Sequence, residues 1–379
     1  MINVLQICSQ YPGSNIYDYL FKYLNNQGVK NYVFIPCREN AQKKVFSNSE
    51  TKLIYSESFK AGKNIIEKFT NIFNQYYFFS QQKRIYDKLI EKISIDKIGY
   101  IHAHTLFTDG YLAYMINKKF KKKYIVAVRN TDVNSFLKYG KHLRKTAIEI
   151  IKNADKVIFI SESYRVNFIK SFLKTEDEKE LANKFIVVPN GIDEFWFKNK
   201  PKAKDVPDKR VNLIQVGKID RNKNVETAIK VCNELRSTGI DSRITIVGEG
   251  PLKEELMNKY NEEHIVFKGF LQKEEIQKYY DDADIFIMLS KFETFGLVYV
   301  EAMSRGLPLI YTKNQGFDKT FQEGEVGFAV DYDNYEMAVE NIKRILDEYS
   351  EISKRCIENI DSFSWNIIAN KYKCIYESR

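Results

Sequence analysis

The sequence lacks any uninterrupted apolar run of the roughly 18–20 residues that a membrane-spanning helix needs, so no span is expected. Its start, Met1-Ile2-Asn3-Val4-Leu5-Gln6-Ile7-Cys8, is apolar but has neither a basic lead-in nor a small-residue cleavage site. It is expected to be a buried first strand and not an export signal. Proline and glycine are few, 7 and 17 in 379 residues, which argues against long disordered stretches. The five cysteines, Cys8, Cys37, Cys232, Cys356 and Cys374, are scattered, and no pair has metal-ligand spacing. Reduced thiols in a cytoplasm are the expectation. No strand-like segment is followed by Gly-x-Gly-x-x-Gly, which disfavours a nicotinamide-dependent dehydrogenase.

What is present is a globular balance: 44% hydrophobic and 29% charged residues, in a length typical of two domains. The formal net charge of +9 admits three kinds of partner, namely nucleic acid, an anionic membrane surface or a phosphorylated substrate. None of the usual nucleic-acid recognition motifs occurs, so no nucleic acid is expected. The one dense basic run, Lys118-Lys119-Phe120-Lys121-Lys122-Lys123, reads as a solvated helix end. The alternative is a membrane-facing patch, since anionic lipid attracts each nearby Lys by about 1 kcal/mol. A cytoplasmic protein is expected, with peripheral contact on the inner face of the membrane as the alternative location.

Short apolar segments alternate with amphipathic ones from end to end, the pattern of α/β units with parallel sheets and helices on both faces. In the first half the expected strands are Asn3–Cys8, Tyr32–Pro36, Ile98–His102, Tyr124–Val128, Lys156–Ile160 and Phe185–Val188. In the second they are Asn212–Val216, Arg243–Val247, Ile265–Phe267, Ile285–Leu289, Leu309–Tyr311 and Phe328–Val330. Each half reads as one doubly wound unit. The break is expected after Pro189-Asn190-Gly191-Ile192-Asp193, with the polar segment Phe197–Arg210 as a linker, which gives domains of 1–195 and 196–362. Ligands of such sheets bind beyond the carboxyl ends of the strands, and two sheets facing each other would enclose a cleft.

The strongest signal is Glu293-Thr294-Phe295-Gly296-Leu297-Val298-Tyr299-Val300-Glu301-Ala302, expected to follow a strand and open a helix running to about Arg305. Gly296 permits close backbone approach, and the exposed N–H groups from Phe295 onward favour an anion. Glu293 and Glu301 bracket that anion site. A carboxylate suits ribose or sugar hydroxyls, because it accepts their hydrogen bonds with a full charge. The second signal is Val216-Gly217-Lys218-Ile219-Asp220-Arg221-Asn222-Lys223-Asn224 after a strand, where Gly217 allows a tight exit and Lys218 and Lys223 can reach one phosphate. Fixed cations there would stabilise charge on a departing diphosphate.

Two glutamates separated by seven residues, with Phe-Gly-Leu between them, resemble the signature of the family 4 glycosyltransferases. The resemblance implies the two-domain GT-B architecture and transfer of a sugar, with retained anomeric configuration, from a nucleotide-diphosphate sugar. It implies Glu293 on donor sugar hydroxyls, Glu301 on the ribose, and Thr294 and the Phe295–Leu297 backbone around the diphosphate. Family members commonly carry a basic residue after the glycine and a Lys five further on, the places of Lys218 and Lys223. Phe267-Lys268-Gly269-Phe270 resembles the loop whose backbone reads the nucleotide base. Phe363-Ser364-Trp365 and the segment to residue 379 resemble the helix that crosses back onto the first domain. Ile246-Val247-Gly248-Glu249-Gly250-Pro251 sits where the family would have it, ending a strand and opening a helix with Pro251 near its start; the alternative is a plain turn.

In the first domain, Gly13 of Tyr11-Pro12-Gly13-Ser14 is placed at the donor phosphate or acceptor, and His104 of Ile101-His102-Ala103-His104 along the acceptor side. At Val128-Arg129-Asn130-Thr131-Asp132 many family members have His-Gly, so Arg129 departs from the pattern. Its fork suits phosphate or an acidic sugar, while Asp132 would orient an acceptor hydroxyl or pair with Arg129. Asp282-Ala283-Asp284 is read as turn and cap, not as a metal site. No metal and no cofactor are expected, since the lysines serve the phosphates. The stretch Phe59–Phe79, with Ile65, Ile66, Phe69, Ile72, Phe73, Tyr76, Tyr77 and Phe79, reads as a core face or, alternatively, a groove for a lipid-linked acceptor. The expected reaction is transfer from a nucleotide sugar, a UDP-sugar foremost, to a saccharide or glycoconjugate in surface polysaccharide assembly. The alternatives are a nucleotide-sugar epimerase of the same fold and a non-catalytic partner of an active transferase.

Overall fold

The computed structural model describes residues 2–38, 43–44, 50–59, 75–133, 141–198 and 200–378. Two compact units emerge. The first comprises Met1–Ile160, Arg165–Asn190 and Trp365–Arg379, the second Ser161–Tyr164 and Gly191–Ser364.

The first unit is built on seven parallel strands: β1 (Ile2–Ile7), β2 (Val29–Arg38), β3 (Thr51–Phe59), β4 (Tyr100–Ala103), β5 (Tyr124–Ala127), β6 (Lys156–Phe159) and β7 (Phe185–Val187). Their spatial order is β3-β2-β1-β4-β5-β6-β7. All four residues of β4 and of β5 are buried, as expected of central parallel strands covered on both faces. Strand β3 was not among the expected ones. It lies at the sheet edge, and its run Lys52-Leu53-Ile54-Tyr55-Ser56-Glu57 mixes polar with apolar residues, so neither a buried run nor a clean alternation announces it.

Helix α1 (Ile16–Asn26) buries Tyr17, Leu20, Phe21 and Leu24, one stripe at helical spacing. The carboxyl-terminal helix Trp365–Glu377 packs on the same core through Trp365, Ile368, Ala369, Tyr372 and Tyr376. Trp365 stacks on Tyr19 with ring centroids 6.0 Å apart. The lysine-rich run closes the helix Thr108–Phe120: Lys118 and Lys119 lie in its last turn, and Lys121 is its left-handed cap at φ 55°. Cations at that end complement the helix dipole. Of the apolar stretch Phe59–Phe79, Ile65, Ile66, Phe69, Ile72 and Phe73 lie outside the described residues, as do the side chains of Tyr76 and Tyr77; the Phe79 ring lies 5.3 Å from that of Tyr111.

The second unit carries six parallel strands: β8 (Val211–Val216), β9 (Ser242–Val247), β10 (Ile265–Gly269), β11 (Ile285–Met288), β12 (Leu309–Thr312) and β13 (Gly327–Val330). Their order is β10-β9-β8-β11-β12-β13. Each sheet therefore reverses its winding once, between β1 and β4 in the first unit and between β8 and β11 in the second. At such a switch point the loops leave in opposite directions and open a crevice at the carboxyl ends of the strands. Four of the cysteines are buried and Cys374 is exposed; all five are free. Among the described residues no helix is long and apolar enough to cross a membrane.

Candidate active site

The loops after β8 and β11, on either side of the second switch point, hold the densest set of polar contacts among the predicted residues. Lys223 Nζ donates to Glu293 Oε2 at 2.6 Å, with the two side chains 22% and 12% exposed. The loop after β8 is shaped by Asp220, whose Oδ1 accepts the backbone N–H groups of Asn222 and Lys223, both at 3.0 Å. That turn aims Lys223 across the switch point. Lys218 does not share the partner: it stands 66% exposed, 3.6 Å from Asp220.

Asn222 and Asn224 tie the two loops together. The Asn222 side chain accepts the Phe292 N–H at 3.1 Å and donates to the Phe292 carbonyl at 3.0 Å, while its own carbonyl accepts the Lys291 N–H at 2.8 Å. Asn224, in the left-handed region at φ 52°, donates to the carbonyls of Leu289 and Tyr332. The Glu293 N–H is received by Gln315 Oε1 at 3.1 Å, and the Glu293 carbonyl accepts from Gly316 N–H at 2.9 Å. A Cβ on Gly316 would fall 2.3 Å from the Phe295 nitrogen, so only glycine lets this segment back the Thr294–Phe295 peptide. Sequence reasoning missed Asn222, Asn224, Gln315 and Gly316. The first two adjoin Lys223, and an amide that both donates and accepts is suited to clamp a peptide.

Glu293 Oε1 accepts the Thr294 N–H at 3.1 Å. Gly296 takes φ 82° and opens the short helix Leu297–Met303, which ends earlier than expected because Gly306, at φ 74°, closes the last turn onto Met303. Phe295 is buried, so the backbone of this loop and not its aromatic ring faces any ligand. Glu301 lies beside Asp193, Trp196 and Tyr280. Burial, with the Asp193 charge adding to it, raises its carboxyl to about 7.

The turn Gly248-Glu249-Gly250 has a second purpose. A Cβ on Gly248 would lie 1.9 Å from the Gly217 oxygen, and one on Gly250 2.2 Å from the Ile219 oxygen. Gly217 N–H donates to Val247 and Ile219 N–H to Glu249, both at 2.9 Å, and Gly248 N–H to Gly269 at 2.7 Å. The loops after β8, β9 and β10 are thereby laced edge to edge. Lys268 turns its ammonium over the Tyr279 ring at 5.6 Å, so its side chain is engaged away from the Gly269 backbone. Of the Asp-x-Asp segment, Asp284 ties the start of β11 to β8, accepting from Asn212 N at 2.7 Å and from its side-chain amide at 3.0 Å.

In the first unit the expectations for His104 and Asp132 need correction. His104 is fully buried, bonded to Gln6 Oε1 at 2.9 Å and stacked on His102 at 3.9 Å. It is a core group and does not line an acceptor face; burial holds both imidazoles well below their ordinary pKa and hence neutral. Asp132, 1% exposed, accepts the backbone N–H groups of Leu106, Phe107 and Arg129 at 3.0, 3.2 and 2.8 Å. Those bonds tie its own loop to the loop after β4, and its burial keeps it from an acceptor hydroxyl; its charge faces Arg129, the pairing that was its other expected role. Arg129 is part-buried, its Nε donating to the His104 carbonyl at 3.3 Å. Gly13 closes the short 3₁₀ turn Tyr11–Gly13 after β1, and a Cβ there would meet nothing within 4 Å.

Residues 197–363 match the family described as Glycosyl transferases group 1. The chain is 29% identical over 206 residues to the sulfoquinovosyl transferase SQD2 of Arabidopsis thaliana, covering 51% of this chain and 39% of that protein. It is 26% identical over 262 residues to the alpha-monoglucosyldiacylglycerol synthase of Acholeplasma laidlawii, covering 63% of this chain and 65% of that one. The matches thus span less than two thirds of either relative's own length. Among solved structures, HepE of Anabaena in complex with UDP and glucose superposes with a TM-score of 0.67 at 15% identity, over 100% of both chains. The fold is that of the GT-B superfamily.

Proposed function

We propose that this chain is a glycosyltransferase that takes a sugar from a nucleotide-diphosphate sugar, with retention of anomeric configuration, in the manner of the family 4 enzymes. The observation that carries the reading is the Lys223–Glu293 pair at 2.6 Å, set at the switch point of the second sheet beside the Thr294–Gly296 backbone. A cation and a carboxylate beside a loop that opens a helix are what a diphosphate and a sugar hydroxyl together require. The group 1 match covers these same loops, and the HepE structure holding UDP and glucose supports a UDP-sugar as the donor.

In this reading Lys223 and the Phe295–Leu297 backbone take the diphosphate, with Lys218 completing the cation set from the exposed side of the loop. Glu293 receives donor sugar hydroxyls, and Glu301 the ribose. Charge gathers on the leaving diphosphate as the anomeric bond breaks, and fixed cations favour that charge over the ground state. No metal ion is required. The acceptor in this reading is a saccharide or a lipid-linked glycoconjugate, in surface polysaccharide assembly; the name of the Acholeplasma laidlawii relative, a glucosyldiacylglycerol synthase, supports the lipid-linked member of that range. An epimerase or a non-catalytic partner is not favoured, since the matched family and the relatives named above are transferases and synthases.

A thermal-shift screen of UDP-, GDP- and other activated sugars tests the donor. Transfer followed by NMR of the product anomer, with and without EDTA, tests retention and metal independence. Absence of stabilisation by every activated sugar refutes the reading.

A further inference from the structure

The Lys268 side chain and Asp282 take no part in the loops around Lys223, yet both line one cavity of about 230 Å³ in the second unit. Arg243 and Thr245 of β9, Val266 of β10 and Tyr279 of the helix Lys273–Asp282 line it with them. In β9 the alternation is plain: Ser242, Ile244 and Ile246 are buried, while Arg243 and Thr245 are half-buried. Parallel strands covered on both faces read as near-continuous apolar runs, and Arg243 and Thr245 break that run on one face only. Arg243 pairs in register with Asn212, the second residue of β8. The guanidinium therefore starts near the amino ends of the strands, whereas the Lys223–Glu293 pair lies on loops beyond their carboxyl ends.

The lining is cationic. Among the described residues the Arg243 guanidinium makes no hydrogen bond or ion pair, and its Nε is buried without a partner. Lys268 holds its ammonium 5.6 Å from the centre of the Tyr279 ring and has no carboxylate partner among those residues. Asp282, exposed, is the one acid of the lining. It is bridged to neither cation, and its charge also acts on Lys204. Two cations against one carboxylate leave positive charge over. Buried donors without a partner are rare in folded chains and are met by water or an ion. A guanidinium takes a phosphate through two parallel N–H···O bonds, an ammonium adds a compact charge, and the Thr245 hydroxyl can donate or accept. The volume equals about seven water molecules at roughly 30 Å³ each, which suits a small anion and not a chain segment. We propose that this cavity is a second anion site, which holds a phosphate or pyrophosphate group, free or at the end of a small metabolite, on Arg243 and Lys268. It needs neither Lys223 nor Glu293 and does not rest on the glycosyltransferase reading.

Calorimetric titration in about 0.1 M salt, which screens loosely held ions, tests it. The full chain carrying Lys223→Ala is the background, so that phosphate drawn to the loops after β8 and β11 is weakened. Inorganic phosphate and pyrophosphate probe the free ions, and glucose 6-phosphate against glucose probes a phosphorylated metabolite. The expected result is that at least one phosphate compound binds one to one, at least tenfold more weakly when Arg243→Gln is added and severalfold more weakly with Lys268→Gln. Asp282→Asn, which removes the opposing charge, should tighten it severalfold. No binding by any phosphate compound, or binding that both Arg243→Gln and Lys268→Gln leave unchanged, overturns the proposal. If Arg243→Gln does not fold, as judged by circular dichroism, the exposed positions carry the comparison: Lys268→Gln and Asp282→Asn must then move the affinity in opposite directions, and equal affinities overturn it.

Discussion

Replacing Lys223 by Ala separates what the ion pair does for the fold from what it does for transfer. In the wild type the pair is 2.6 Å apart, with the side chains 22% and 12% exposed. It is thus partly desolvated, and removing the ammonium leaves Glu293 facing only the Thr294 N–H. Breaking a fully buried pair costs about 3–5 kcal/mol; partial exposure lowers the expectation here to roughly 1–3 kcal/mol of unfolding free energy. Turnover depends on a different term. If Lys223 stabilises the departing diphosphate, its loss should lower kcat on the order of 10²–10³-fold, the scale of removing one preorganised donor, about 2.7–4 kcal/mol. The double variant Lys223→Ala/Glu293→Gln divides the two effects. It has no orphaned carboxylate, so urea denaturation should show stability partly restored relative to Lys223→Ala, while kcat stays low. Both quantities are measured on the same preparations, with the donor identified by the thermal-shift screen. A folded Lys223→Ala enzyme with unchanged turnover, or a double variant that recovers it, would refute the assignment of Lys223 to the phosphate.

Three further outcomes follow from the geometry. Gly250→Ala should destabilise the second unit by roughly 3 kcal/mol or more, because its Cβ would sit 2.2 Å from the Ile219 oxygen with only backbone to yield; a thermal melt within 2–3 °C of wild type contradicts the lacing of these loops. Glu301, with its carboxyl raised to about 7, contributes stability that is complete below its ordinary pKa and is lost as pH rises through 7. Urea melts from pH 5 to 8 should therefore show wild type falling relative to Glu301→Gln, by up to about 1.4 kcal/mol per pH unit within that window, and parallel curves would contradict it. Tyr376→Phe removes the hydroxyl 2.8 Å from His102 Nδ1 inside the first core, with an expected loss of about 1–3 kcal/mol; an unchanged urea midpoint would mean that another partner takes its place.

Much of the fold was legible in the residues because its signals are local. Buried parallel strands such as Tyr124–Ala127 and Ile285–Met288 are short apolar runs, and helices such as Ile16–Asn26 carry their stripe at fixed spacing, so each can be recognised without its neighbours. The same holds for the spacing of Lys218 and Lys223 after Gly217, and of Glu293 and Glu301 around Gly296. What the chain order does not contain is which distant groups meet. Lys223 reaches Glu293 across 70 residues, Asn222 holds Phe292, and Gln315 and Gly316 support the loop from behind. The pairing of β8 with β11 brings those loops together, and that is a property of sheet order. Burial is likewise collective: His104 looked like a cleft residue by its place after β4, and only the packing of Tyr17 and Phe21 around it makes it a neutral core group. Local chemistry was thus written in the residues, while charge state, partner and exposure were settled by tertiary packing, because desolvation and hydrogen bonding depend on what surrounds a side chain and not on what precedes it.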